Sequence, residues 1–413
     1  MEVWTVETRF LCPAPPSGII TRVTPAPRIL IFYAEAGAGH RRAAEAAAQA
    51  LIERGAGVSL VDALRFTHPL FRAVYRRGGL GLITRLPRLY QLAYTVSDQP
   101  AIARVLRGPR YHSQQISTRA LFRTIAAFQP HAILSTHFLP SELCAGWRRS
   151  GRLRVPLCTV VTDFEPHAMW QHVGTDRYCV PTAAARTRLL ADGIDPAIIE
   201  VTGIPIGRGF AALPDRSTAA RRLNLDPDRA VVLIMGGGLG VGALEAVARS
   251  LVSQPLNAQI VFITGSNHAL RRQLKAMSRT WVVRGFVANM PDWLAAADVA
   301  ISKAGGLAGS ELLAAGVPTI IPRGLTGHEA RNAHYLAATG AALLADSAAE
   351  SLAQADRLLC EPQEREAMRR AALRAARLNA ASLIADRTIN LASFAHYALR
   401  FTPHVEHPSL STL

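Results

Sequence analysis

The sequence predicts an α/β protein built from two similar halves of the nucleotide-binding type, and three stretches carry that expectation. Arg28-Ile29-Leu30-Ile31-Phe32-Tyr33 is an apolar run of strand length that enters Glu35-Ala36-Gly37-Ala38-Gly39-His40 and then an alanine-rich helical pattern through Ile52. Ala230-Val231-Val232-Leu233-Ile234-Met235 repeats the arrangement, entering Gly236-Gly237-Gly238-Leu239-Gly240-Val241-Gly242. Val299 to Ile301 does so again, with the turn Ser302-Lys303-Ala304-Gly305-Gly306-Leu307-Ala308-Gly309 and then a helix carrying Glu311 in its first turns. Strand, glycine loop and helix open nucleotide-binding domains: glycine lets a ligand approach the backbone, and free N–H groups at a helix start favour phosphate. The plainer reading of each stretch is a tight strand-to-helix turn.

A chain of 413 residues, 49% of them apolar, is long for one core and suits two domains. Cys12, Cys144, Cys158, Cys179 and Cys360 form no C-x-x-C pair, which argues against a zinc site or disulfide framework and fits a reducing cytosolic setting. The formal net charge of +16 attracts anionic surfaces, whether nucleic acid, acidic lipid or phosphate-bearing substrates. Arginine enrichment also follows from genomic base composition. No apolar run approaches bilayer length, so the expectation is a soluble chain that can rest on a membrane.

Residues 1–27 carry Pro13, Pro15, Pro16, Pro25 and Pro27 and read as a poorly ordered lead. His40 stands at a helix start, where the dipole disfavours its protonated form and keeps it available as a base; the same position suits a capping or packing histidine. Val58 to Val61 is a second strand. From Ala63 to Ser97 there is no acidic residue, while Arg65, Arg72, Arg76, Arg77, Arg85 and Arg88 alternate with apolar and aromatic residues including Phe71 and Tyr75. Such a segment suits an anionic bilayer surface, or a helical pair with a solvated arginine face. No RNA-binding motif accompanies it, and nucleic acid is not an expected partner. Ala132 to His137 and Pro156 to Thr162 are strands that deliver His137 and Asp163 to the rim where His40 lies, with His167 and Trp170 close behind. Turn capping is the competing role for Asp163 and His167. A short strand ends at Val180, Ala183 to Asp192 is helical, and Ile199 to Ile206 closes the half before a boundary within residues 207–218.

In the second half, Gly238, Gly240 and Ala243 fit G-x-G-x-x-A, but Gly265-Ser266-Asn267 stands where a dinucleotide site needs an acid after the next strand. Nicotinamide binding therefore loses its support. Val282 to Phe286 and Thr319 to Pro322 are further strands. Between them Met290 to Ala297 is a short helix, and after them the loop Gly327-His328-Glu329 with Asn332 offers groups for sugar hydroxyls. Thr326 and Glu329 also have capping-box spacing. Residues 364–400 read as one basic helical tail free of glycine and proline.

Taken together, these residues resemble the monogalactosyldiacylglycerol synthase and processive diacylglycerol glucosyltransferase family. The likeness lies in Gly37-Ala38-Gly39-His40-Arg41, Val160-Val161-Thr162-Asp163-Phe164 with His167 and Trp170, and Thr202-Gly203-Ile204-Pro205-Ile206. It continues in Gly236-Gly237-Gly238, Gly265-x-Asn267, Gly285-Phe286-Val287, Ser302-Lys303-Ala304-Gly305-Gly306-Leu307, Ser310-Glu311, and Gly327-His328-Glu329 with Asn332. The lipid II N-acetylglucosaminyltransferase is a more distant relative. The resemblance implies a GT-B fold, two Rossmann-like domains facing across a cleft. The implied partition is an N-terminal acceptor domain at 28–208, a donor domain at 209–385, and a C-terminal helix and tail at 386–413 returning toward the first domain.

It further implies an inverting, metal-independent hexosyltransferase that uses a UDP-sugar as donor substrate, needs no cofactor, and acts on a lipid such as diacylglycerol at the cytoplasmic face of a membrane. His40 becomes the candidate base, with Asp163 orienting or replacing it. Gly237, Gly238, Asn267, Phe286, Val287, Glu311, His328, Glu329, Asn332 and the turn Gly305, Gly306, Leu307, Ala308, Gly309 become the donor site. Within that set, Phe286-Val287 would meet uracil, Glu311 the ribose, the glycine turn the diphosphate, and His328, Glu329 and Asn332 the hexose. Gly39, His137, Phe71, Arg72, Tyr75, Arg76, Arg77 and Arg85 become the acceptor and membrane side. The chain departs from common family patterns at Ala308, usually Thr, and His328, usually Gln. Two other readings stay open: transfer of N-acetylglucosamine to a polyprenyl-linked or other lipid acceptor, and a UDP-sugar or anionic-lipid binding module without turnover.

Overall fold

The apolar runs become strands covered on both faces, the environment of parallel sheets. A computed structural model describes residues 26–35, 38–67, 72, 87–99, 102, 105, 119–238, 240, 243–323 and 327–401. The N-terminal half holds β1 (Arg28–Tyr33), α1 (Ala38–Ile52), β2 (Gly57–Asp62), α2 (Pro87–Ser97), α3 (Arg119–Phe128), β3 (Ala132–Ser135), α4 (Phe138–Arg149), β4 (Leu157–Val160), β5 (Arg177–Val180), α5 (Ala183–Ala191) and β6 (Ile199–Val201). The second half holds α6 (Arg216–Arg222), β7 (Val231–Met235), α7 (Leu244–Ser253), β8 (Gln259–Ile263), α8 (His268–Met277), β9 (Val282–Arg284), α9 (Met290–Ala296), β10 (Val299–Ser302), α10 (Gly306–Ala315), β11 (Thr319–Pro322), α11 (His328–Ala338), β12 (Ala342–Ala345), α12 (Ala348–Cys360), α13 (Pro362–Ala375) and α14 (Ala380–Phe401).

Among the described residues the strands form two six-stranded sheets, ordered β2-β1-β3-β4-β5-β6 and β12-β11-β10-β7-β8-β9. Their pairs are parallel, as in Ile31 beside Leu134 and Ile301 beside Ile234. Each order reverses once, between β1 and β3 and between β10 and β7. A crevice opens at the strand ends where neighbouring helices leave to opposite faces. The glycine loops after β1, β7 and β10 all lie at these two reversals.

The alanines of α1 let it lie close to its neighbours: Ala44, Ala47 and Ala48 are buried in one cluster with Ile29, Ile31 and the late residues Ile384, Ala385 and Ala392. The expected single tail is two helices, α13 and α14, separated at residues 376–379. At the break Arg377 packs against Gly203, on which a β-carbon would fall 2.5 Å from Arg377 Cβ. The return to the first sheet begins at Ala380, ahead of residue 386, since Ile384 and Ala385 already sit in that core.

Candidate functional site

His40 lies in the first turn of α1, and the ends of β3 and β4 supply Thr136 and Thr162 beside it. Its Nδ1 is 2.9 Å from the Thr136 carbonyl oxygen and 2.9 Å from Thr162 Oγ1. A carbonyl only accepts, so Nδ1 carries the proton and Nε2 is left with a lone pair. The Thr136 hydroxyl in turn donates to the His40 carbonyl at 2.9 Å. Burial lowers the His40 pKa below its usual value; the Asp163 charge and the Thr136 bond oppose that, and His328, facing it from the other domain, adds to it. The ring is therefore neutral at neutral pH and able to take a proton.

Asp163 does not bond His40. Its carboxylate accepts from Trp170 Nε1 at 3.2 Å and from Asn332 Nδ2 at 3.4 Å, so it acts on the histidine through its field while the two threonines hold the ring. His137, expected on the acceptor side, is 1% exposed. Its Nδ1 accepts from Leu139 N–H at 3.0 Å, capping α4, and its ring meets that of His40 edge-on at 4.5 Å. Its ring thus packs against His40 while its Nδ1 serves as a helix cap. His167 likewise caps a short helix and reaches the Tyr94 carbonyl at 3.0 Å.

In the second half, α10 begins at Gly306 rather than after Gly309. Its N-cap is Gly305, and no side chain caps it. The Gly305 N–H donates to the Lys303 carbonyl at 3.1 Å, so the open donors of this helix start are the N–H groups of Gly306 and Leu307, with Ala308 in the same first turn. Gly309 lies deeper, where a β-carbon would meet the Phe164 ring at 2.8 Å. The two halves press together here. A β-carbon on Gly306 would lie 1.9 Å from the Thr162 carbonyl oxygen, and one on Gly238 2.3 Å from Ala38 Cβ. Gly39 faces Leu307 across the same contact, and Gly237 lies beside the Lys303 stem.

Burial raises the Glu311 pKa to about 7, with Arg42 opposing the rise. Arg42 comes from α1, and its guanidinium also lies 5.7 Å from the centre of the half-exposed Phe286 ring. Val287 packs into the core beneath. The carboxylate, the ring and the guanidinium converge on the place the resemblance gives to a nucleoside. Glu329 pairs with Lys303, a residue quoted in the motif yet absent from the expected site. Thr326 of the capping-box spacing lies outside the described residues, and Gly327 is the N-cap of α11 without a side-chain bond of its own.

Asn332 and Asn267 depart from expectation. Asn332 is fully buried; its Oδ1 accepts from Phe164 N–H at 2.9 Å and its Nδ2 reaches Asp163, so it joins the domains instead of facing a hexose. Asn267 caps α8 through Leu270 N–H at 3.0 Å and donates to the Gly240 carbonyl at 3.1 Å, which holds the glycine turn. Arg72 is a helical position whose side chain lies near the Arg65 carbonyl at 3.5 Å. Phe71, Tyr75, Arg76, Arg77 and Arg85 lie outside the described residues, as do residues 1–25 and 402–413. Thr136, Thr162 and Arg42 were missed as well; only the adjacency of Thr136 to His137 and Thr162 to Asp163 could have flagged the threonines.

The family model for monogalactosyldiacylglycerol (MGDG) synthase matches residues 40–206, and that for the glycosyltransferase family 28 C-terminal domain matches residues 231–387. The probable monogalactosyldiacylglycerol synthase 2, chloroplastic, of Oryza sativa subsp. japonica is 31% identical over 356 residues, covering 80% of this chain and 73% of that protein. The processive diacylglycerol beta-glucosyltransferase of Bacillus subtilis is 27% identical over 350 residues, covering 83% and 90%. Among solved structures, Acinetobacter baumannii MurG superposes with a TM-score of 0.55 at 16% identity, covering 88% of this chain and 99% of that one. Two parallel sheets meeting at their strand ends, with matched transferase domains in both halves, make this chain a GT-B glycosyltransferase. It belongs to the monogalactosyldiacylglycerol synthase family.

Proposed function

We propose that the chain transfers a hexose from a UDP-sugar to the free hydroxyl of diacylglycerol, in a single displacement with inversion and without a metal ion. The observation that carries this reading is His40, whose Nδ1 is fixed by the Thr136 carbonyl so that Nε2 can act as base opposite the uncapped start of α10. Nε2 takes the acceptor proton as that oxygen attacks the anomeric carbon. The bond from that carbon to the diphosphate breaks, and UDP leaves with the electron pair. The N–H groups at Gly306 and Leu307 receive the charge that develops there. Glu311 holds the ribose, Phe286 the base, and His328 and Glu329 the hexose. The protein works as a peripheral enzyme at the cytoplasmic membrane face; among the described residues, no helix is long and apolar enough to cross a membrane.

The test is UDP release and glycolipid formation with diacylglycerol vesicles, using UDP-glucose and UDP-galactose. His40→Ala lowers kcat by at least about 100-fold while UDP still stabilises the protein, and EDTA leaves the wild-type rate unchanged. A folded protein that neither binds UDP nor releases it with any lipid acceptor would sink the reading.

A further inference from the structure

Nearly all of the positive charge of this chain is arginine: of its 46 basic residues two are lysines, Lys275 and Lys303. Lys275 lies exposed on α8. Lys303 directly follows β10 at the strand-order reversal, where Ser302 pairs with Met235 of β7. Its backbone is fixed there, the carbonyl accepting from Ser302 Oγ at 3.0 Å and from Gly305 N–H at 3.1 Å. The stem runs over the glycine loop after β7: a β-carbon on Gly237 would lie 2.9 Å from Lys303 Cε and 3.9 Å from Nζ. The ammonium ends on Glu329, in the first turn of α11. The two side chains are 21% and 19% exposed, so a ligand can still reach the pair. Elsewhere arginine makes such pairs, as with Glu200 and Asp298. A guanidinium holds a carboxylate in a two-pronged fork, whereas an ammonium is a compact charge whose three donors can serve separate acceptors. A lysine in this narrow place therefore suits a second acceptor besides Glu329.

We propose that Lys303 binds the β-phosphate of the donor, and that Glu329 holds the ammonium in the empty site and yields it when a UDP-hexose arrives. Lys303 stands in the turn that leads to the open N–H groups of Gly306 and Leu307, beside the loop that carries Gly237. A diphosphate seated against those groups brings an oxygen to the ammonium. With UDP alone, Glu329 has no sugar to satisfy it and goes on competing for Lys303. With a hexose present, the sugar hydroxyls donate to Glu329, and the ammonium turns to the phosphate at lower cost. As the bond from the anomeric carbon to the β-phosphate oxygen breaks, its electron pair stays on that oxygen. The ammonium meets the added charge and gives up no proton. Once the hexose has left, Glu329 draws Lys303 back and loosens UDP. The inference rests on the donor-site reading above.

The full chain is titrated by calorimetry with UMP, UDP, UDP-glucose and UDP-galactose. Lys303→Met keeps the affinity for UMP, binds UDP at least about tenfold more weakly and lowers kcat by a similar factor. Glu329→Gln keeps the shape of the side chain and drops the competing charge. It binds UDP about threefold more tightly, while its preference for the accepted UDP-hexose over UDP falls about tenfold. In the double variant the tighter UDP binding disappears, because no ammonium is left to release. Equal losses of UMP and UDP in Lys303→Met, or full UDP affinity there, would make the lysine a structural partner of Glu329 and overturn the proposal. So would unchanged or weaker UDP binding by Glu329→Gln, an outcome that decides the matter even where Lys303→Met does not fold. Wild-type protein that binds none of these uridine compounds overturns the donor-site reading instead, and this inference with it.

Discussion

At the scale of single residues, the proposed role of Glu311 in holding the ribose, with Arg42 beside it, predicts a pH dependence of UDP binding with a definite sign. Burial holds the Glu311 carboxyl near 7, so it is largely protonated just below neutrality and charged above it. Only the carboxylate accepts from both ribose hydroxyls. UDP affinity should therefore be steady above about pH 7 and fall as pH drops through that value, read by calorimetric titration. The empty protein shows the opposite trend from this group. A carboxyl with a raised folded pKa keeps its stabilising contribution below its unfolded value and loses it as pH rises toward 7. Glu311→Gln should then melt higher than the wild type at neutral pH, bind UDP about tenfold more weakly, and show no pH dependence of binding through 7. Arg42→Ala removes the charge that restrains the shift, so the midpoint of the UDP–pH profile should move upward. An unmoved midpoint would detach Arg42 from the nucleoside site.

At the scale of elements, most strands were legible and several helices were not, for physical reasons. Runs such as Arg28–Tyr33 and Thr319–Pro322 coincide with β1 and β11 because strands of a parallel sheet are covered on both faces and read as unbroken apolar stretches. Helix α4 left no such trace: Leu139 through Trp147 are all buried, so it has no long polar face to set a period, and Pro140 in its first turn disguises it further. Site residues split the same way. His40 and Glu311 stand in local strand–turn–helix patterns. Asn332 could not be read, because its partners Phe164 and Asp163 come from the other domain and meet it only after folding. Its replacement tests that pairing. Asn332→Ala leaves the buried Phe164 N–H without an acceptor and should cost about 1–3 kcal/mol in urea unfolding. Asn332→Asp puts a second carboxylate beside Asp163 and should cost more, with kcat falling in both variants. Equal stability for the aspartate variant and the wild type would mean that the clasp does not form.

At the scale of the whole molecule, the chain crosses between domains twice, after β6 and again between α13 and α14, and the crossings touch where Gly203 meets Arg377. The second crossing makes the N-terminal domain depend on α14. Ala380, Ile384, Ala385 and Thr388 are fully buried, and α14 closes over the same cluster as Ile29, Ile31 and Leu51. Two ion pairs fasten it: Arg387 grips Glu200 with bonds of 2.6 and 2.8 Å, and Arg54 meets Asp386 at 2.6 Å. Such half-exposed pairs contribute little by themselves, so the buried apolar groups carry the effect. Ending the chain after Asn379 should uncover one face of the first sheet and destabilise the N-terminal domain by at least about 3 kcal/mol. Scanning calorimetry should then show an early transition that UDP does not shift, followed by the donor domain's transition, which UDP raises. Adding residues 380–413 as a separate peptide should move the early transition back toward that of the full chain. A truncated protein that melts like the full chain would mean that the first sheet is complete without α14, and the second crossing would then be a tether rather than part of the N-terminal core.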